Sequence, residues 1–65
     1  MRQIKDLLMK AKSYSLYDHI KLYKLKNGIS LKWYKVLDRY DDSHISELVY
    51  NGWLVIENDY FKLLR

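Results

Sequence analysis

One stretch constrains this chain more than any other: NGWLVIENDYFKLLR, residues 51–65. Asn58-Asp59 reads as a two-residue turn, since both residues tolerate positive φ. Glu57 then falls opposite Tyr60, Ile56 opposite Phe61, Val55 opposite Lys62, Leu54 opposite Leu63, and Trp53 opposite Leu64. Side chains alternate across a strand, so Leu54, Ile56, Phe61 and Leu63 share one face, and a face so uniformly apolar belongs against a core. The opposite face carries Trp53, Val55, Glu57, Tyr60, Lys62 and Leu64, which is unusually apolar for solvent. Two readings of it stand side by side. Either a partner covers it, or the first helix or the chain terminus does.

Helical patterns precede the hairpin. Asn51-Gly52 ends a helix running from His44 to about Tyr50 that buries Ile45, Leu48 and Val49. Asp41, Asp42 and Ser43 form a polar break that supplies its N-cap. Ser30 caps a segment Leu31–Tyr40, where Trp33, Val36, Leu37 and Tyr40 make an apolar stripe. Two helices joined by so short a turn are the helix-turn-helix pattern. Further upstream, Ile4, Leu7, Leu8 and Ala11 make one stripe over Arg2–Lys12. Ser13 and Ser15 interrupt it, with Ser15 as an N-cap and Asp18 in a capping-box position. A second helix then runs from Leu16 to about Lys26 and ends at Asn27-Gly28. The same Asn-Gly could close a hairpin. That register sets Lys26 against Ile29, Lys24 against Leu31 and Leu22 against Trp33, which puts lysines opposite apolar residues at two of three places. Cross-strand pairs match apolar with apolar, so helix is preferred. The expectation is a mainly α domain with a C-terminal β-hairpin: a winged helix-turn-helix of about four helices and a two-stranded wing, forming a single domain over residues 1–65. Its core is Ile45, Leu48, Val49, Leu54, Ile56, Phe61 and Leu63.

Sixty-five residues without a cysteine must be held by packing alone, and a chain this short buries only about 60% of its unfolded surface. Ten aromatic residues, seven of them Tyr, will not all fit inside so small a core, so some should form a surface patch. The lack of cysteine fits a reducing cytoplasm. No apolar run approaches the roughly 20 residues needed to span a bilayer. A basic amphipathic first helix could lie on a membrane, but a packed first helix is the commoner cause of that pattern.

The segment GISLKWYKVLDRY, followed by HISELVYNGWLVIENDYFKLL, resembles the C-terminal domain of oxygen-independent coproporphyrinogen oxidases and their radical-SAM relatives. The matching residues are Gly28, Ser30, Leu31 and Tyr34 at a helix start, then Leu48, Gly52, Trp53 and Leu54 at the entrance to a short hairpin. The likeness covers residues 28–65 and implies a winged helix. It departs at Leu64, where the family has threonine, and in the short link between the two helices. The chain has no cysteines to hold a cluster, so the radical chemistry is not implied.

Catalysis finds little to work with. Asp41 and Asp42 are adjacent and point apart on a loop. His19 and His44 have no cysteine to activate, and no glycine-rich phosphate loop is present. The chain reads as a non-enzyme with no cofactor or metal. Charge is divided unevenly: residues 1–35 hold nine bases and two acids, and residues 36–65 hold three bases and six acids. A basic patch attracts phosphate or an acidic protein surface. The helix that would enter a DNA groove offers His44, Ser46, Glu47, Tyr50 and Asn51, with no Lys or Arg, so direct reading of duplex DNA is disfavoured. The first expectation is an accessory protein docking on a larger protein, such as an enzyme of DNA metabolism in a bacterium, phage or mobile element, through Trp53, Val55, Glu57, Tyr60 and Tyr50. The alternative is a nucleic-acid binder or transcriptional regulator. It would use Lys21, Lys24, Lys26, Lys32 and Lys35 on phosphates, with Tyr17, Tyr23 or Tyr34 stacking on single-stranded bases. A homodimer through the outer wing face is a third reading.

Overall fold

The computed structural model describes the backbone of residues 2–65 and the side chains from Leu8 onward. Helix α1 spans Arg2–Asn27 without a break, so the expected division at Ser13 and Ser15 is corrected. The reason is a stripe that runs through the serines: Ser13, Leu16, Tyr17 and Ile20 are buried, with Met9 and Tyr23 half-buried on the same side. Serine favours caps only where its hydroxyl outcompetes the helix, and here tertiary packing decides. Ser13 is 2% exposed beside Leu48 and Trp53, where a small side chain lets the second helix come close. The Ser15 hydroxyl lies 3.2 Å from the Tyr40 hydroxyl and caps nothing. Of the stripe expected over Arg2–Lys12, Ile4 and Leu7 lie outside the described side chains, and Leu8 and Ala11 are exposed.

Asn27-Gly28 ends α1 as expected and forms no hairpin. Gly28 takes φ +70° and donates its N–H to the Lys24 carbonyl at 2.8 Å, a left-handed helix stop. The helix expected over Leu31–Tyr40 is replaced by an extended step and a 3-10 turn, η1, at Trp33–Val36. The wing captures the start of this segment. Lys32 bridges Tyr60, the Phe61 N–H donates to the Leu31 carbonyl at 3.1 Å, and the Trp33 N–H donates to the Asp59 carbonyl at 3.2 Å. Lys32 is extended as a result. Val36 and Tyr40 still reach the core, whereas Leu37 is exposed.

Helix α2 spans Asp42–Tyr50 with Asp41 as its N-cap. His44 Nδ1 accepts the Asp41 N–H at 3.0 Å, so a histidine fills the reciprocal place usually held by Glu or Gln. Ile45 and Leu48 are buried as expected, but Val49 is exposed. Asn51-Gly52 closes α2. Gly52 donates to Val49 at 3.1 Å and Trp53 to Leu48 at 2.9 Å, the paired bonds of a Schellman stop. Strands β1 (Leu54–Glu57) and β2 (Tyr60–Leu63) pair antiparallel in the expected register. Asn58 and Asp59 both take positive φ, as a type I′ turn requires. Leu54 and Phe61 are fully buried and Leu63 packs against the core. Ile56 sits toward the hairpin tip and stays exposed, which corrects its assignment to the core. The result is a mainly α chain with a C-terminal antiparallel hairpin. Its core is drawn from α1, η1, α2 and both strands.

Two substitutions test these local arguments in thermal melts. Gly52→Ala meets no atom within 4 Å, so its cost is the left-handed conformation alone, about 1 kcal/mol, which lowers Tm by about 4–8 °C in a domain this small. An unchanged Tm would refute the cap argument. The Ser13 hydroxyl is buried and finds no partner among the described residues. Ser13→Ala removes an unsatisfied polar group and adds helix propensity, so Tm should rise.

Candidate functional site

For the outer wing face two covers are expected, a partner or the first helix and terminus, and the docking reading takes Trp53 as its anchor. The Trp53 ring sits edge-on to Tyr14 and Tyr17, with centroids 5.2 and 5.1 Å away. The Arg65 guanidinium lies 5.4 Å from the Trp53 ring, and the Tyr17 hydroxyl donates to the Arg65 carbonyl. The first helix and the terminus therefore cover Trp53, which corrects the picture of a free aromatic anchor. Edge-to-face pairs of this kind add stability beyond area burial. The other expected docking residues are dispersed. Val55 is half-buried, and Glu57 pairs with Lys62 at 3.2 Å in an exposed ion pair of little energetic weight. Tyr50 stands 89% exposed at the end of α2, away from Tyr60 at the hairpin turn.

The five expected phosphate-binding lysines divide into groups. Lys21, Lys24 and Lys26 are exposed on α1. Lys21 and Lys26 fall about 140° apart around its axis at 3.6 residues per turn, so they cannot serve one strand of phosphates together. Lys32 and Lys35 lie elsewhere, in a cluster the sequence did not assemble. Lys32 Nζ sits 5.6 Å from the ring centres of both Tyr34 and Tyr60, and Lys35 Nζ lies 5.9 Å from the Tyr34 ring. The Tyr34 hydroxyl hydrogen-bonds Lys32 and, with the tyrosine charges and Asp59, holds its ammonium above the ordinary lysine range. Lys32, Lys35 and Tyr60 line an open pocket of about 460 Å³ together with Tyr23, Ile29, Ser30 and Leu31, and Tyr34 stands beside the two lysines. Of the three tyrosines expected to be free for stacking, Tyr34 is exposed, Tyr23 half-buried and Tyr17 buried.

A second surface was also missed. Around α1, the residues Leu8, Ala11, Ser15, Asp18, Leu22 and Leu25 fall within an arc about 100° wide, on the side opposite Leu16 and Ile20, with Ser15 toward its edge reaching the Tyr40 hydroxyl. All are exposed, and Leu25, Leu22 and Leu8 stand at 74%, 66% and 65%. Lys10 and Lys21 border one side of the arc, and Lys12 and Lys26 the other. The signal was present in the leucines at 22 and 25, three apart and out of phase with Ile20, but a break assumed at Ser13 hid their continuity with Leu8.

The exposed side of α2 offers Asp42, Ser43, Ser46, Tyr50 and Asn51, and Asn51 is engaged in bonding Glu47 at 2.7 and 3.1 Å. It holds no base for a phosphate. Among the described residues no cluster of three or more His, Asp or Glu is placed to hold a metal, and no described helix is long and apolar enough to cross a membrane. Compared with protein-family models, curated proteins and solved structures, the chain matches none.

The aromatic cluster predicts that Trp53→Ala lowers stability. A half-buried Trp with two ring partners should cost about 2 kcal/mol, or roughly 8–16 °C of Tm. A melt unchanged within about 2 °C would return Trp53 to the list of free docking residues.

Proposed function

We propose that this protein is a small non-catalytic winged-helix module that docks, as an accessory protein, on a larger protein. The winged-helix reading is supported by the order helix, bridging strand step, 3-10 turn, helix, hairpin, and by the resemblance of residues 28–65 noted above. One observation carries the docking reading: three leucines more than 60% exposed on one face of α1. Leu22 and Leu25 form an adjacent exposed apolar pair, with Leu8 about 21 Å further along the helix, and exposed apolar surface of this kind marks an interaction site. The dock therefore lies on α1 rather than on the wing.

The lysines bordering the stripe specify an acidic partner surface, because opposite charge at the rim steers encounter and fixes orientation. Asp18 within the stripe calls for one base on that partner. A second copy of the chain is disfavoured, since antiparallel pairing that matches Leu8 with Leu22 sets Lys10 near Lys21.

The test is Leu22→Glu combined with Leu25→Glu, used as bait in cells of the native host beside the parent chain. Both positions lie off the core, so stability should change by no more than about 0.5 kcal/mol. Capture of a partner, insensitive to nuclease, should be lost. Retained capture, or capture abolished by nuclease in the parent, would remove this reading.

A further inference from the structure

The pocket lined by Lys32, Lys35 and Tyr60, with Tyr34 beside both lysines, is unrelated to the α1 dock, and its chemistry is more specific. We infer that it binds single-stranded nucleic acid, taking one or two unpaired bases against its aromatic and apolar walls and the adjoining phosphates on Lys32 and Lys35. Three observations combine here. The pocket is concave, about 460 Å³, a size that encloses small planar ligands. Its walls are Tyr23, Ile29, Leu31 and Tyr60, which present flat and aliphatic surfaces and no acid. Two of its lining residues, Lys32 and Lys35, are cations. Lys32 rests over two tyrosine rings and needs only a rotamer change to meet an anion.

Stacking on tyrosine combined with lysines along the backbone is how proteins hold single strands without reading their sequence. Tyr34 and Tyr60 remain 43% and 40% exposed, so each keeps much of its ring open. Duplex DNA fits poorly at the same place. Its bases are stacked and unavailable to the pocket, whereas unpaired bases are free to enter it. An acidic peptide could meet the two lysines but would leave the aromatic walls unused.

The experiment is fluorescence anisotropy of a labelled oligo-dT against a duplex of equal length, over a series of salt concentrations, with the full chain. Tighter binding of the single strand is expected. Tyr34→Ala and Tyr60→Ala should each weaken it roughly 5- to 150-fold with the salt slope unchanged. Lys35→Ala should lower the slope by about 0.7, as should Lys32→Ala. Tyr34 and Lys35 are exposed, so their variants keep the fold, which a melt verifies. The Leu22→Glu and Leu25→Glu chain should bind the oligonucleotide normally, which separates this site from the dock. The inference is overturned by equal affinity for duplex, or by no binding at all. It is also overturned by tyrosine variants without effect alongside equal losses from Lys12→Ala and Lys21→Ala, the pattern of a diffuse attraction for any polyanion.

Discussion

Phe61 is the residue on which the arrangement depends. Its ring is 2% exposed in the middle of the core, and its N–H is bonded to the Leu31 carbonyl, far back in the chain. Strand β2 is therefore held on both edges, by β1 on one side and by the step at Leu31–Trp33 on the other. Without that second edge the hairpin would be an isolated two-stranded ribbon, which is marginal in water. The same tie stretches residues 31 and 32, confines the following turn to η1, and sets Lys32 beside Tyr60. A backbone requirement of the sheet thus brings the lysines and tyrosines of the pocket together.

Helix α1 meets two demands with one length of chain. Its inner side packs Leu16, Tyr17 and Ile20 into the core. Its outer side carries leucines with no cover among the described residues. An amphipathic helix ordinarily turns one apolar stripe inward and a polar face to water. Here three exposed leucines stand on the side opposite that inward stripe, and the proposed partner would cover them. Lysines between the stripes keep them apart and mark the boundary of each.

The hairpin was legible because period-two alternation fixes register strictly: a slip of one residue would have exposed Leu54 and Phe61 together. The two Asn-Gly helix stops were legible because only a left-handed residue closes those bonds. Other features were set by contacts that no local pattern encodes. Ser13 and Ser15 carry the propensity of caps, yet a buried stripe runs through them. Leu31–Tyr40 has helical periodicity, but its first residues are claimed by β2. Val49 and Ile56 have the right phase for burial and lie where the core has ended, one at the end of α2 and the other near the hairpin tip. Trp53 lies opposite Leu64 as the register required. Which aromatic rings of α1 would close over it depended on the unbroken length of that helix.

The two helix stops carry a consequence for chemical ageing. An Asn-Gly sequence loses ammonia when the glycine nitrogen attacks the neighbouring side-chain carbonyl and closes a succinimide ring. Here Gly28 and Gly52 commit their N–H groups to Lys24 and Val49, and the amides of Asn27 and Asn51 donate to the carbonyls of Tyr23 and Glu47. Both reactants of the ring closure are thereby restrained by the bonds that end the helices. Fraying frees them together. The aspartate or isoaspartate that results can no longer donate, and it adds negative charge at the negative pole of a helix, a cost of about 0.3–1 kcal/mol. Each opening of a helix end thus exposes the chain to damage that makes the next opening easier.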